Sequence, residues 1–252
     1  MDKISVLNID ICSIELPELL TKINKGVLLT PNVDHLIKLQ KDTDFFECYQ
    51  AADWVICDSN IVNLAAKFLG NPFKEVIPGS SFLPAFYNHH KDNLAIKIFL
   101  LGAAEGVAET ARKRINAHVK RNMVIGAYSP TFGFEKNEEE CREIVEMIKA
   151  SNANVLVVGV GAPKQEKWIM KYKHELPNIN LFMALGATLD FEAGNIKRAP
   201  VVFQKLHVEW LYRLIKEPKR LWKRYLVEDM SFFLLILRQK LGIYKSPNHG
   251  IS

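Results

Sequence analysis

The 252-residue sequence lacks the features that mark several classes of protein. Its four cysteines form no CxxC pair, which argues against a zinc knuckle or a disulfide framework and favours a reduced, cytoplasmic setting. The longest apolar candidate, Met230–Leu237, is far shorter than the roughly 18 residues that a membrane-spanning helix needs. Asp2 and Asp10 do not suit a signal peptide, so we expect none.

Several catalytic and cofactor motifs are also missing. Gly159-Val160-Gly161 is followed by Pro163 and no third glycine, and GxxxxGK[ST] is absent, which disfavours a dinucleotide site and a P-loop. No HExxH or GxSxG motif occurs, and no DxD element ends a strand. We therefore expect no cofactor and no metal site, and the missing DxD argues against metal-dependent transfer from a nucleotide sugar.

The net charge of +5 is unevenly distributed. Residues 198–252 contain 11 Lys/Arg and 4 Asp/Glu, a net +7, whereas the other 197 residues contain 22 and 24, a net −2. Such asymmetry indicates an anionic partner, either a nucleic acid or an anionic lipid surface.

Short apolar runs alternate with helical patterns through residue 191, which is typical of parallel strands buried on both faces. The predicted strands are Val27–Thr30, Trp54–Cys57, Ile96–Leu101, Met123–Tyr128, Val155–Val160 and Leu181–Leu185. The predicted helices cover about 33–52, 60–70, 79–91, 104–121, 137–151 and 163–175. This alternation predicts an α/β fold with a Rossmann-like, doubly wound, mostly parallel sheet, and Ile4–Ile14 should add a hairpin or an edge.

After Arg198 the pattern becomes wholly helical, with a break or a new helix start at Pro218 and a second helix to about Leu241. We therefore divide the chain into an α/β catalytic body, residues 1–198, and a basic amphipathic helical appendage, residues 199–252.

Ligands of open parallel sheets bind beyond the carboxyl ends of the strands. Small or polar residues end or follow every predicted strand here. Seven residues of these strand ends and loops are candidate site residues: Thr30, Asn32, Asp58, Gly102, Gly161, Gln165 and Asp190. The alternative is that they serve only as turn and cap residues, with Asp58 as the N-cap of helix 60–70 and Asp190 in a turn.

Five segments resemble the WecG/TagA/CpsF glycosyltransferases in collinear order over nearly the whole chain. They are TPNVDHL (30–36), AADWVICDS (51–59), GVGAPKQEKWI (159–169), ALGATLDFEAGNIKRAP (184–200) and EWLYRLIKEPKRLWKRYL (209–226). The resemblance implies a metal-independent, inverting bacterial transferase that moves a sugar of the N-acetylmannosamine type, or a related hexose, from a UDP-sugar. The implied acceptor is an undecaprenyl-diphosphate-linked sugar in teichoic acid or other cell-surface polysaccharide synthesis.

The resemblance also implies roles for individual residues. Asp58 matches the proposed catalytic base, and Thr30, Asn32 and Gln165 match residues that line the sugar and diphosphate pocket. Asp190 matches a position near the nucleotide. Independently of the resemblance, the Gly102–Gly106 turn and the helix start at Pro163-Lys164-Gln165 can offer backbone N–H groups to phosphate. Arginines that complete the site correspond to Arg213, Arg220 and Lys223 or Arg224.

The chain departs from the common family pattern at two places. Asp58 is followed by Ser59-Asn60 rather than Gly-x-Gly, and Val76 and Ser81 stand where many members have Arg and Asp. These departures bear on the identity of the donor or acceptor sugar more than on the reaction class.

Basic residues beside Trp and Tyr, with the Phe/Leu run after Met230, indicate an interfacial helix. We therefore expect a cytoplasmic protein, peripheral on the inner face of the cell membrane, that binds through its C-terminal helices. The apolar side could instead pack on the body or on another subunit of a homo-oligomer.

Two alternative functions remain open. The protein could bind a nucleotide sugar without catalysis, or it could bind a nucleic acid through its basic tail. The apolar run argues against nucleic acid.

Overall fold

The computed structural model describes residues 2–196 and 230–247. Its main sheet has six strands, all parallel, in the order β4-β3-β8-β7-β5-β6. These strands are β3 (Gly26–Leu29), β4 (Trp54–Val55), β5 (Ile98–Gly102), β6 (Val124–Tyr128), β7 (Val155–Gly159) and β8 (Leu181–Ala184). The four central strands are almost wholly buried because helices cover both faces, as expected for a parallel sheet.

Nine helices lie in the first described range. They are α1 (Leu16–Lys22), α2 (Val33–Lys38), α3 (Thr43–Gln50), α4 (Asn60–Leu69), α5 (Gly79–His89), α6 (Val107–Val119), α7 (Glu138–Ala150), α8 (Lys164–Tyr172) and α9 (Thr188–Ala193). Alternate residues of each strand supply two apolar cores, one on each face. Leu29 and Val158 belong to one core, and Leu28 and Val157 belong to the other.

The N-terminus forms an antiparallel hairpin of β1 (Lys3–Val6) and β2 (Ile9–Cys12), joined to the main sheet by a single bridge between Cys12 and Ile56. The last helix, α10 (Met230–Lys240), packs on α4 and α2. Its Phe232 and Ile236 lie in the same core as Val6 of the hairpin.

Gln239 of α10 also binds the hairpin backbone. Its Oε1 accepts from the N–H of Leu7 at 2.8 Å, and its Nε2 donates to the carbonyl of Ser5 at 3.1 Å. Helix α10 is therefore packed into the body of the protein. The open alternative for the apolar side of the tail, packing on the body, holds for Phe232 and Ile236.

The predicted fold class is confirmed, and the strands differ from their predicted bounds by one or two residues. The prediction of one helix over 33–52 was wrong, because Asp42 accepts from the N–H of Phe45 at 3.0 Å and caps a second helix. Helices α1 and α9 were not predicted. Predicted helix 199–214 and the first part of the second tail helix, to residue 229, lie outside the described residues. No helix in the described ranges is long and apolar enough to cross a membrane.

Candidate active site

Because all six strands run the same way, their carboxyl ends meet along one edge of the sheet, which we call the rim. The strand order places Asp58 at one end of the rim and the loop after β6, residues 129–133, at the other. With neighbouring strands about 4.8 Å apart, these two ends are about 24 Å from each other. The rim is therefore long enough to hold an extended nucleotide sugar.

Asp58 is half-buried and follows β4 through Ile56 and Cys57. Its backbone N–H donates to the carbonyl of Pro31 at 3.4 Å, which ties the loop after β4 to the loop after β3. The alternative that Asp58 is the N-cap of the next helix was wrong. That role belongs to Ser59, whose Oγ accepts from the N–H of Val62 at 3.4 Å. Asp58 therefore lies in the loop between β4 and α4, one residue before the cap.

Thr30 and Asn32 lie on the loop next to Asp58. Thr30 is buried, and its Oγ1 donates to the carbonyl of Ala184 on β8 at 3.3 Å. Asn32 is the N-cap of α2, and its Oδ1 accepts from the N–H of His35 at 3.2 Å. Asn32 therefore does serve as the cap of α2.

Glycines at the ends of three neighbouring strands let the backbones approach closely. A Cβ at Gly102 would lie 2.5 Å from the carbonyl oxygen of Gly159, and one at Gly159 would lie 2.6 Å from that of Gly186. Gly102 also has a φ of +136°, which disfavours a side chain. These contacts bring the loops after β5, β7 and β8 together at the centre of the rim.

Gln165 is 1% exposed, and its amide is bound to protein groups. Its Oε1 accepts from the N–H of Gly161 at 3.2 Å and from that of Gly186 at 3.1 Å, and its Nε2 donates to Glu166 at 2.9 Å. The N–H of Gly161 is therefore occupied by Gln165. Gly161, with a φ of +84°, shapes the loop, and Gln165 holds it in place.

Glu166 is wholly buried beside Gln165. Burial raises the pKa of its carboxyl from an ordinary 4.5 to about 7, against the hydrogen bond from Gln165 and the charge of Lys38, which both favour the ionised form. Burial raises the pKa of the Tyr49 hydroxyl and of the Cys48 thiol, and the negative charge of nearby Glu166 raises both further.

This carboxyl gives a prediction for stability against pH. In the unfolded chain the pKa of Glu166 is about 4.5, and in the native protein it is about 7, so the native state binds more protons between these values. The protonated Glu166 therefore contributes its full stability below pH 4.5. As the pH rises to about 7 this contribution is lost, and the free energy of unfolding falls by about 2–3 kcal/mol. We expect Glu166→Gln to be more stable than wild type by about that amount at pH 8 and nearly equal at pH 4.5. Urea unfolding at both pH values tests this; an equal difference at the two would contradict it.

Asp190 lies in the first turn of α9 and is half-buried. Burial raises the pKa of its carboxyl, and a hydrogen bond with Asn195 opposes the shift. The carbonyl of Asp190 accepts from the N–H groups of Asn195 and Ile196, so the residue does have a turn role as well. Its place after β8 is at the middle of the rim.

The comparisons with known proteins agree with this geometry. The sequence model of the Glycosyl transferase WecG/TagA/CpsF family matches residues 4–246. The chain belongs to this family. It is 32% identical over 208 residues to an N-acetylglucosaminyldiphosphoundecaprenol N-acetyl-beta-D-mannosaminyltransferase of Bacillus spizizenii, covering 81% of this chain and 76% of that one. A protein of the same name from Staphylococcus aureus strain MW2 is 30% identical over 203 residues, covering 79% and 75%.

As a member of the WecG/TagA/CpsF family the chain is a glycosyltransferase, and its departures from the common pattern have a defined place. Val76 and Ser81 flank the start of α5, where a Cβ at Gly79 would lie 3.3 Å from Leu185 and 3.4 Å from Thr188, just after the end of β8. The N–H of Ile77 donates to the carbonyl of Cys57 at 2.7 Å, beside Asp58. The substituted positions therefore lie against the rim.

Phe132 was not among the residues predicted for the site, and it is fully exposed on the loop after β6. The loop is anchored from below by buried Glu140, which accepts from both the N–H and the Oγ1 of Thr131. The Nζ of Lys164 lies 4.9 Å from the centre of the Phe132 ring, so the loops after β6 and β7 meet here. A single aromatic residue in a Pro- and Gly-containing loop was the available signal.

Arg213, Arg220 and Arg224 lie outside the described residues. Within residues 2–196 and 230–247, no group of three or more His, Cys, Asp or Glu side chains is placed to hold a metal ion. All four cysteines are buried and unpaired, and burial raises the pKa of the Cys57 thiol, next to Asp58, to about 12. That thiol is therefore unreactive at neutral pH.

Proposed function

We propose that the protein transfers a sugar of the N-acetylmannosamine type, or a related hexose, from a UDP-sugar to an undecaprenyl-diphosphate-linked sugar, with inversion and without a metal. The product would serve bacterial teichoic acid or cell-surface polysaccharide synthesis. The observation that carries the proposal is the rim, where the backbone of Asp58 is hydrogen-bonded to the loop that holds Thr30 and Asn32, in a chain of this family. The relatives' names supply the acceptor class.

In the proposed reaction Asp58 takes the proton of the acceptor hydroxyl as that oxygen attacks the anomeric carbon. The bond between this carbon and the diphosphate oxygen breaks, and UDP leaves with the electron pair. Thr30, Asn32 and Asp58 then surround the sugar at one end of the rim. The diphosphate lies over the centre of the rim, near Asp190 and the loops at Gly161 and Gly102, and the uridine extends toward the loop after β6 that carries Phe132. Arg213, Arg220 or Arg224 would stabilise the negative charge that develops on UDP as it leaves.

A donor screen tests the proposal. The full chain is incubated with a short-chain polyprenyl-diphosphate N-acetylglucosamine and a panel of UDP-sugars, including UDP-N-acetylmannosamine, with and without EDTA. We expect one disaccharide product by mass, with inverted anomeric configuration by NMR and an unchanged rate in EDTA. Nucleotide-sugar binding without any transfer would favour the non-catalytic alternative, and loss of rate in EDTA would contradict metal independence.

Phe132 gives a prediction for donor affinity. A fully exposed ring on an anchored loop is suited to stack on a base, and such stacking is worth about 1–3 kcal/mol by alanine substitution. We expect Phe132→Ala to raise the KM for the donor about 5- to 150-fold with kcat changed little. Phe68→Ala is the control, since that ring is also exposed but lies on α4 beside Lys240. An unchanged KM in Phe132→Ala would contradict the role.

We also propose that the protein is peripheral on the inner face of the cell membrane. Large apolar side chains are exposed on α4 and on α10, two helices that pack together: Leu64, Phe68, Phe233, Leu234 and Leu237. Arg238 and Lys240 of α10 are both exposed beside them. Sedimentation with anionic vesicles, but not with neutral ones, is expected; salt-sensitive binding to DNA and none to vesicles would favour the nucleic-acid alternative.

A further inference from the structure

Gln165 and Glu166 form a buried pair at the start of α8, 1% and 0% exposed. The Gln165 side chain makes three hydrogen bonds, one to Glu166 and two to the N–H groups of Gly161 and Gly186. Gly161 follows β7 and Gly186 follows β8. One amide therefore connects two neighbouring loops of the rim.

The Glu166 carboxyl decides which way this amide points. An amide side chain accepts at its oxygen and donates at its nitrogen, and the two glycine N–H groups need an acceptor. The Oε1 of Glu166, 2.9 Å from the Gln165 nitrogen, needs a donor. Only one orientation of the amide satisfies all three partners. Without the carboxyl, the Gln165 nitrogen would be buried without an acceptor, at a cost that favours rotation of the side chain away from the loops.

The positions of these two loops matter for transfer. Gly161 and Gly186 have φ values of +84° and +56°, and the carbonyl of Gly186 lies against Gly159. The loops are thus held close at the centre of the rim, where the proposed diphosphate lies. A displacement of about 1 Å in a positioning element can cost about 100-fold in rate.

Resting on the proposed function, we propose that Glu166 is a positioning residue for sugar transfer. Its carboxyl fixes the Gln165 amide, and the amide holds the loops at Gly161 and Gly186 in the arrangement that receives the donor. The Oε2 of Glu166 has no hydrogen-bond partner among the residues that the structure describes. A buried carboxyl with one unpartnered oxygen is unfavourable for stability. Glu166 is therefore better explained by its effect on the orientation of Gln165 than by a contribution to the stability of the fold.

Two variants of Glu166 separate positioning from packing. Glu166→Met removes the acceptor at similar volume, whereas Glu166→Gln keeps an oxygen that can accept from Gln165. Trp168→Phe is the control, because Trp168 is buried on the same helix and its Nε1 also has no partner within the described ranges. For each, kcat and KM are measured, with Tm and with hydrogen exchange of the segments 159–166 and 184–190.

We expect Glu166→Met to lower kcat/KM about 10- to 100-fold and to speed exchange in both segments, without a fall in Tm. Glu166→Gln should stay within about 3-fold of wild type, and Trp168→Phe should lose Tm but neither activity nor loop protection. Wild-type kcat/KM in Glu166→Met, or an equal loss in Glu166→Gln, overturns the proposal.

The double variant Gln165→Met/Glu166→Met should be no slower than Gln165→Met alone, since Glu166 acts through Gln165. An additive loss contradicts this. If wild type transfers no sugar from any donor, the proposed function fails, and the exchange data still decide. Faster exchange of both loops in Glu166→Met but not in Glu166→Gln supports the positioning role, and unchanged exchange overturns it.

Discussion

Asp58→Asn is expected to lower kcat for sugar transfer about 100- to 10,000-fold, because the amide cannot take the proton of the acceptor hydroxyl. The KM for the donor should change little, since the amide has the shape of the carboxylate and can still hydrogen-bond to the sugar. Steady-state kinetics with the donor and acceptor identified in the screen, together with UDP binding by calorimetry, measure both quantities.

Asp53→Asn is the matched control. Asp53 lies just before the N-terminal end of β4, away from the rim. Its Oδ2 accepts from the N–H of Val27 at 2.8 Å, and the side-chain oxygen of an asparagine can accept the same hydrogen bond. Its kcat should stay within about 2-fold of wild type. If Asp58→Asn keeps more than a tenth of the wild-type kcat, the base of the reaction is another residue.

Phe232→Ala should lower the free energy of unfolding by about 3–5 kcal/mol. Its ring is 0% exposed, in the core shared by the hairpin, α2 and α4, so truncation leaves a cavity that these rigid elements cannot close. Chemical denaturation at neutral pH measures the change from the shift of the midpoint at constant slope.

Phe233→Ala is the control, because the neighbouring ring is half-exposed, and its cost should be under about 1 kcal/mol. Equal losses in the two variants would contradict the packing of α10.

The same packing affects any deletion of residues 199–252. Such a deletion uncovers the surface beneath Phe232 and Ile236, so its effect on activity would include destabilisation of the body.

The sequence predicted the six strands and the fold class well, because parallel strands buried on both faces are continuous apolar runs with little ambiguity. It did not predict the order β4-β3-β8-β7-β5-β6, which depends on contacts between distant segments. Helices α1 and α9 were missed because seven and six residues hold too few turns for a periodic pattern. Asp42-Thr43 is a sequence typical of a helix start, but the helical spacing of apolar residues continues across it and predicts one helix instead of two.

The candidate site divides in a similar way. Asp58, Thr30 and Asn32 could be placed from the sequence, since each follows an apolar strand and the rim is common to all strands. The pairing of Gln165 with Gly186, 21 residues apart, could not, because nothing local indicates which loop a buried amide will reach. Phe132 was readable only as a loop residue, since its full exposure depends on the anchoring of Thr131 by Glu140.

The link between Gln239 and the hairpin has a consequence for the order of synthesis. Gln239 follows its partner Leu7 by 232 residues in the chain, and Phe232 is similarly distant from the hairpin. Chains emerge from the ribosome at about 5–20 residues per second, so Val6 and its neighbours wait more than about ten seconds for that helix. The core beneath the hairpin therefore cannot be completed until α10 has been synthesised.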